Sequence, residues 1–295
     1  MEQNPVTIVS CFYELANSKH SREEYIRWIT WFLEYVDQPI VMFGDGFILT
    51  ILNAIRKEAN LEGKLFTVQL PLSECKYSSA DWIEKWNTQK KLSNYPDLHN
   101  QELFRVWANK SYFVEKAIER NPFGSEKFVW CDAGCWRDPI VAQYFGKGWP
   151  VANKILPGKM HFLTMYEFQE YIQKANQSNT LETFVETYTL RAKPTIGGTI
   201  LLGDKEAWTK IIPFYDEVLK LFIEKNKFAG DDQQVLLYTA LWMTKMDSKN
   251  KPIFFKAPKK HGFCRIENYS CGDIWFAFQQ HFSNATNFHL EEYTF

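Results

Sequence analysis

Short apolar runs alternate with amphipathic stretches over the first quarter of the chain. The runs rich in β-branched residues, which predict buried strands, are 6–13, 39–43 and 65–70. The stretches with hydrophobic side chains at helical spacing are 22–36, which follows a plausible N-cap at Ser21, and 48–55. Alternation of strand and helix in this order is typical of a doubly wound sheet. We therefore expect an α/β fold with a mostly parallel sheet between helices.

The rest of the chain continues this alternation less regularly. Residues 73–99 are polar and predict a loop-rich excursion with one short helix. The elements predicted after it are a long helix over 101–120, a strand over 128–131, a strand over 194–203, a helix from Asp204 to 225 that Pro213 kinks or splits, and a helix from Asp231 to 244. The sequence contains no repeat, low-complexity tract or Pro/Ser linker, so we expect one domain over 1–295.

Composition excludes several classes of function. The 34 basic and 35 acidic residues are spread along the chain, and no basic patch indicates nucleic acid or anionic lipid as a partner. No stretch reaches the roughly 18 apolar residues of a membrane span, and no basic segment precedes an apolar run at the N-terminus. We therefore expect a cytoplasmic protein without a membrane span.

The six cysteines form no CxxC pair, so reduced thiols are expected, with Cys11 and Cys131 buried in strands.

The segment FVWCDAGCWRD at 128–138 is the sharpest candidate for chemistry. In parallel sheets, ligands bind outside the carboxyl ends of strands, and Asp132 directly follows an apolar strand. A carboxylate there suits a divalent cation, the small Gly134 lets a diphosphate approach the backbone, and Arg137 suits phosphate oxygens. The alternative is a strand end at which Asp132 caps a turn and Arg137 is solvated. Residues 11–14 and 44–46 follow strands in the same way.

Three further features have both a structural and a functional interpretation. Asp231 and Asp232 open a predicted helix, where one can cap the helix and the other serve as a general base. The glycine pair before Thr199 indicates either a tight bend or a place where a sugar lies against the backbone. His261 lies in a basic, glycine-containing turn that suits a diphosphate, whereas the six histidines show no metal-binding spacing. The absence of P-loop, GxGxxG and GxSxG motifs disfavours kinases, dehydrogenases and α/β-hydrolases.

The chain resembles the bacterial HtrL/YibB family, whose members occur in polysaccharide and lipooligosaccharide gene clusters and look like GT-A glycosyltransferases. The blocks that carry the resemblance are TIVSCFYEL at 7–15, the Lys110-containing helix that leads to NPF at 121–123, FVWCDAGCWR at 128–137, GGTILLG at 197–203 and DDQ at 231–233. The resemblance implies a GT-A-like, mostly parallel sheet. It also implies that nucleotide binds in the half 1–150 and acceptor in the half 151–295.

The resemblance also implies an activity: transfer of a sugar from a nucleoside-diphosphate sugar to a glycan or lipid-linked acceptor. The residues implied for the donor are Cys11, Phe12, Tyr13, Asp45, Lys110, Asp132, Gly134 and Arg137. Those implied for the acceptor side are Gly197, Gly198, Thr199 and Gln233, with Asp232 or else Asp231 as the base. Mn²⁺ or Mg²⁺ would be held by Asp132 and His261, although Gly134 stands where the GT-A Asp-x-Asp motif has its second carboxylate. The alternatives are a catalytically silent sugar-binding or assembly protein and a sugar nucleotidyltransferase.

Overall fold

A seven-stranded mixed sheet runs through the protein. The computed structural model describes residues 5–16, 18–97, 99–189, 195–285 and 288–293. The strands of the sheet are β1 (Val6–Phe12), β2 (Ile40–Gly44), β3 (Leu65–Gln69), β4 (Lys127–Cys131), β5 (His161–Thr164), β6 (Ile196–Asp204) and β7 (Ile253–Lys256). Two short strands, β8 (Cys264–Ile266) and β9 (Tyr269–Cys271), form a separate hairpin.

Helices connect most of these strands. They are α1 (Arg22–Tyr35), α2 (Ile48–Glu58), α3 (Ala80–Leu92), α4 (Gln101–Ala108), α5 (Lys110–Arg120), α6 (Pro139–Phe145), α7 (Gln169–Gln177), α8 (Leu181–Glu186), α9 (Lys205–Glu224), α10 (Asp232–Met246) and α11 (Phe278–His281). No helix in the described ranges is long and apolar enough to cross a membrane.

The order of the strands brings several carboxyl ends to one edge. The sheet runs β3-β2-β1-β4-β6-β5-β7, in which β1 to β4 are mutually parallel and β6 is antiparallel to both of its neighbours. Strands β1, β2 and β4 therefore end at the same edge, and β6 begins there. The expected α/β architecture with a mostly parallel, helix-flanked sheet is confirmed.

Two apolar layers cover the two faces of the sheet. On one face, side chains of β1 and β4 such as Val9 and Trp130 pack with α5, α9 and α10. On the other, residues of opposite parity such as Ile8 and Val129 pack with α1, α2 and α6. Because successive side chains of a strand point to opposite faces, both faces of a covered parallel sheet are apolar, which explains the unbroken apolar runs in the sequence.

The helices differ from the sequence prediction in three places. The predicted helix over 101–120 is divided at Asn109, whose side chain accepts from the Tyr77 amide at 3.0 Å and contacts Ser78 at 3.3 Å. Helix α3 is longer than the short helix expected in the loop-rich region. Helix α9 continues through Pro213 without being split. The division at Asn109 matters most, because it makes Lys110 the first residue of α5.

One cysteine expectation is wrong. Cys264 and Cys271 form a disulfide that joins β8 to β9, whereas Cys11, Cys75, Cys131 and Cys135 are free and buried. The two bonded cysteines lie directly opposite each other in the register of the hairpin. The pairing depends on this hairpin, which the sequence analysis did not identify. The predicted strand 194–203 corresponds to β6, except that Pro194 lies outside the described residues.

Strands from both halves of the chain lie next to each other in the sheet, and the single domain over 1–295 stays a prediction. Strand β4 forms a ladder with β6 over five residue pairs, from Lys127–Asp204 to Cys131–Ile200. Cleavage between the halves would expose two sheet edges and the core on both faces. We therefore expect limited proteolysis near 150–157 to yield no pair of stable fragments, and calorimetry to show one unfolding transition. Two fragments that each melt cooperatively would contradict the single domain.

Candidate active site at the carboxyl ends of the strands

The ammonium group of Lys110 lies at the centre of a buried polar cluster. Its Nζ is 2.7 Å from Asp232 Oδ2 and 3.1 Å from Asp132 Oδ1, and it donates to the Gly198 carbonyl at 2.8 Å. The Lys110 side chain is 5% exposed. Three elements supply its partners, since Asp132 follows β4, Gly198 lies near the start of β6 and Asp232 opens α10.

Asp132 is the most accessible member of this cluster. Its side chain is 27% exposed, and its Oδ1 also accepts from the Trp130 indole N–H at 2.7 Å. Its backbone N–H donates to Thr199 O, which extends the pairing of β4 with β6 by one residue. Asp132 is therefore held by backbone and side chain, while its side chain remains partly accessible to solvent.

Asp232 and Gly198 are fitted to each other. A Cβ atom on Gly198 would lie 2.5 Å from Asp232 Oδ2 and 2.7 Å from Oδ1, so no side chain can be present there. Asp232 is 5% exposed. Its Oδ2 contacts the Lys110 ammonium and accepts no hydrogen bond of regular geometry from the described residues. The glycine thus has a packing reason: it lets the carboxylate lie directly against β6.

Burial and mutual charge set the protonation of the cluster. Burial lowers the pKa of Lys110, but Asp132 and Asp232 outweigh this effect and hold that pKa above its ordinary value. Burial raises the pKa of Asp132, a rise that the Lys110 charge opposes and the Asp232 charge reinforces. Lys110 is therefore an ammonium ion at neutral pH.

Asp231 differs from its neighbour. Burial, reinforced by the charge of Asp232, raises the pKa of Asp231 to about 7. It is the N-cap residue of α10, and its side chain makes no capping hydrogen bond of regular geometry, while the backbone amides of Gln234 and Gln233 oppose the rise of its pKa. Asp231 Oδ1 and Gln233 Oε1 are both buried without a hydrogen-bond partner among the described residues. Asp231 is therefore not a regular side-chain cap of α10.

The ends of β1 and β2 place the other predicted donor residues at the same edge. Phe12 is paired with Gly44 in the register, so Asp45 follows directly beside the end of β1. Cys11 and Tyr13 face the layer that contains Trp130, and Phe12 faces the other. Burial, and secondarily the charge of Asp132, raises the pKa of Cys11, which keeps it a thiol. Burial raises the pKa of Tyr13, whose hydroxyl donates to Leu70 O at 2.9 Å.

Arg137 lies in a neighbouring cleft. Its guanidinium carbon is 4.5 Å from the ring centre of Trp28 and 5.1 Å from that of Phe276, and its Nε donates to Gly134 O at 2.8 Å. Gly134 itself packs against Tyr25, which a Cβ atom would approach to 3.1 Å. Arg137 is exposed and forms no ion pair with any described residue, so its remaining N–H groups are available to an anion.

His261 belongs to this cleft and not to the Lys110 cluster. The cleft has a volume of about 290 Å³, and its lining includes Arg137, His261, Ser270 and Gln279. His261 Nδ1 is 3.5 Å from Asp273 Oδ1, and the histidine side chain is 62% exposed. Of the acceptor residues expected from the sequence, Thr199 donates to Trp275 O at 2.9 Å, which ties β6 to this region.

The described residues do not fit the expected divalent cation. They contain no group of three His, Cys, Asp or Glu side chains arranged to hold a metal ion. The space between Asp132 and Asp232 is filled by the Lys110 ammonium, and a cavity of about 10 Å³ beside it is lined mainly by apolar side chains. The Mn²⁺ or Mg²⁺ site at Asp132 and His261 therefore remains a prediction without support from the geometry.

Sequence reasoning missed the residues that orient this site. Trp130 was seen only as part of an apolar strand, and Trp28 only as part of a helix, although their rings lie against Lys110 and Arg137. Strand parity gives a partial signal, because Trp130 and Asp132 are two residues apart and so face the same way. The contact between Phe276 and Arg137 has no comparable signal in the sequence.

The two adjacent glycines of β6 provide a matched pair of substitutions. A Cβ atom on Gly197 meets Met165 at 3.6 Å, an ordinary contact, whereas on Gly198 it clashes with Asp232. We expect Gly198→Ala to destabilise the protein by about 1–3 kcal/mol, the usual cost of overpacking, and Gly197→Ala by less. Chemical denaturation measures both. Equal effects of the two substitutions would show that Asp232 does not lie against Gly198.

Comparison with solved structures finds six matching chains, of which two are described here. Core-mannan synthase A from Aspergillus fumigatus, in a form with Mn and GDP, is 13% identical with a TM-score of 0.49, and 94% of this chain covers 83% of that chain. Mouse xyloside xylosyltransferase 1, in its apo form, is 10% identical with a TM-score of 0.37, and the match covers 83% of each chain. At these values, the likenesses assign no residue and no activity to this chain.

Comparison with curated proteins gives no match. A family described as "Bacterial protein of unknown function (HtrL_YibB)" matches residues 72–248. The matched range contains Lys110, Asp132, Gly198 and Asp232, the four residues of the buried cluster. It spans more than half of the chain, and this protein therefore belongs to the HtrL_YibB family.

Proposed function

We propose that this protein is a glycosyltransferase that moves a sugar from a nucleoside-diphosphate sugar to a glycan or lipid-linked acceptor in surface polysaccharide biosynthesis. The observation that carries the proposal is the cluster of Lys110, Asp132 and Asp232 at the carboxyl ends of parallel strands, where ligands of such sheets bind. The resemblance of the sequence blocks to the HtrL/YibB family supports the same activity.

The donor requires positive charge near its diphosphate. When the glycosidic bond to the donor breaks, negative charge grows on the leaving nucleoside diphosphate, and fixed cationic groups stabilise it. Arg137 suits this task because its stacked, tethered guanidinium is held in one plane and lacks a carboxylate partner among the described residues. The accessible part of Asp132 suits a hydroxyl of the ribose or the sugar, as a hydrogen-bond acceptor.

The acceptor hydroxyl requires a base if the transfer inverts the sugar. The sequence favours Asp232 for this role, but its carboxylate is paired with Lys110 and lies directly against β6. Asp231 is the better candidate, because a carboxylate with a pKa of about 7 exchanges protons readily near neutral pH. We therefore assign the role of general base to Asp231, and to Asp232 the role of fixing the Lys110 ammonium in place. We further assign to Gln233, whose Oε1 has no hydrogen-bond partner among the described residues, a hydrogen bond from the acceptor sugar.

Calorimetric titration with a panel of nucleoside-diphosphate sugars tests the proposed function. At least one donor should bind, and the transfer assay with that donor should release the nucleoside diphosphate. Binding without turnover would favour the catalytically silent sugar-binding protein, and consumption of a nucleoside triphosphate with release of pyrophosphate would favour the nucleotidyltransferase. If no donor binds, the proposal fails.

Substitution of Arg137 should weaken donor binding selectively. Arg137→Gln removes the cation but keeps a long polar side chain, so we expect donor affinity to fall about tenfold to a hundredfold, the worth of one charge-assisted contact. Arg120→Gln is the matched control, because Arg120 is an exposed residue at the end of α5. Equal donor affinity of the two variants would remove Arg137 from the donor site.

The two aspartates should fail differently when each is replaced by asparagine. Asp231→Asn should lower turnover about a hundredfold to ten-thousandfold with donor affinity retained, and should abolish the rise of rate with pH through about 7. Asp232→Asn should chiefly lower stability, because it leaves Lys110 with one carboxylate fewer. Rate, donor affinity and melting temperature of both variants decide the assignment. Undiminished transfer by Asp231→Asn would overturn it.

Stability provides an independent check on Asp231. Its pKa is higher in the folded protein than in the unfolded chain, so the folded state holds the proton more tightly and loses stability as pH rises from about 4 to about 7. Asp231→Asn cannot ionise. It should therefore be more stable than the wild type above pH 7, by at most about 4 kcal/mol, with little difference below pH 4. A difference that does not vary with pH would contradict the raised pKa.

A further inference from the structure

The Lys110 ammonium occupies a cage made entirely of protein oxygens. Asp232 Oδ2, the Gly198 carbonyl and Asp132 Oδ1 lie 2.7, 2.8 and 3.1 Å from Nζ, and Asp132 Oδ2 lies at 3.4 Å. Carboxylate and carbonyl oxygens are the ligands that hard divalent cations prefer. The cage thus has the chemistry of a cation site, with a side chain of the protein itself as the cation.

This cation is difficult to displace. An ammonium has three N–H donors, and the cage offers three acceptors within 3.1 Å. The lysine enters from the first residue of α5, is 5% exposed, and passes the Trp130 ring, whose centre is 5.8 Å from Nζ. A divalent ion that entered would leave the ammonium buried without acceptors, which is strongly unfavourable.

The surroundings of Gly134, two residues after Asp132, also disfavour a metal site. In the segment Asp132-Ala133-Gly134, a Cβ atom on Gly134 would lie 3.1 Å from Tyr25 and 3.4 Å from Trp28. A carboxylate there would have to displace aromatic side chains of α1 before it could reach a metal ion. The chain therefore has a filled cage at its first carboxylate and a crowded position at the glycine.

We infer that Lys110 is the permanent cation of this site, that it excludes divalent ions from Asp132 and Asp232, and that nucleoside-diphosphate binding requires no metal there. The last part rests on the proposed function, whereas the exclusion of metal stands on the cage itself. The positive charge that balances Asp132 and Asp232 is then covalently part of the chain, and the charge of the diphosphate is met by Arg137.

Thermal unfolding of the full chain in Mn²⁺ and in EDTA tests the exclusion. The wild type should melt at the same temperature in both. Lys110→Met removes the charge and keeps a side chain of similar length, so the emptied carboxylates should now bind Mn²⁺, and the melting temperature of this variant should rise by several degrees in Mn²⁺. Lys116→Met is the matched control, since Lys116 lies on the same helix and pairs with Glu119 at the surface. It should behave like the wild type.

Two outcomes of the unfolding experiment would overturn the inference. A wild-type melting temperature that rises in Mn²⁺ overturns the inference, and so does a folded Lys110→Met variant that gains no response to Mn²⁺. If Lys110→Met does not fold, the wild-type measurement decides alone. Asp232→Asn in the wild-type background provides a second variant, which should remain insensitive to Mn²⁺ because Lys110 is still present.

Titration of the wild type with UDP and GDP, in EDTA and in Mn²⁺, tests the second part. At least one nucleotide should bind, with affinities that agree within about twofold between the two conditions. Binding that is lost in EDTA overturns the inference and leaves the proposed function intact. If neither nucleotide binds in either condition, the result counts against the proposed function. The thermal unfolding experiment then still tests whether Lys110 excludes metal ions.

Discussion

The burial of one lysine charge is the constraint on which the rest of this site depends. Removing an ammonium from water costs several kcal/mol, and this cost is offset only if charged and polar groups surround it with good geometry. Lys110 meets this condition with two carboxylates and a carbonyl oxygen, all within 3.1 Å. The four residues belong to α5, β6, α10 and the end of β4. These elements must therefore pack together before the buried polar groups of the cluster are compensated.

The topology of the sheet makes this meeting possible. Strand β4 ends at the edge where the antiparallel strand β6 begins, and α10 starts beside them with its carboxylates at the positive end of the helix dipole. Gly198 allows Asp232 to approach β6, and the break after Asn109 brings Lys110 to the start of α5. Lys110 contacts both Asp232 and Asp132, whereas Asp231, whose Oδ1 is buried, has no ionic partner among the described residues.

Much of the sheet could be predicted from the sequence because buried parallel strands are unbroken apolar runs, as at β1 and β2. The same reasoning directed attention to Asp132, since polar residues that follow such strands lie at the ligand-binding edge. The break between α4 and α5 could not be predicted, because it depends on contacts of Asn109 with Tyr77 and Ser78 that exist only in the folded protein. Local sequence favours a continuous helix there.

The contacts between the residues of the site could not be predicted from the sequence either. Nothing in the spacing of Lys110, Asp132 and Asp232 indicates that one ammonium contacts both carboxylates, because the three residues lie on elements distant in the chain. The sequence indicates a tight bend or a sugar contact at Gly198; the side chain that lies against it is the Asp232 carboxylate, and the sugar contact stays a prediction. His261 was expected near a diphosphate and a metal, and it pairs with Asp273 in the Arg137 cleft.

A crystal structure of the wild type with Mn²⁺ and a nucleoside diphosphate, with anomalous data at the manganese edge, tests the cage and the donor site together. We expect the diphosphate beside Arg137, the ribose beside Asp132, Nζ of Lys110 still within hydrogen-bond distance of Asp132 and Asp232, and no anomalous peak between the two carboxylates. A manganese peak at that position, with the Lys110 side chain displaced, would contradict this expectation.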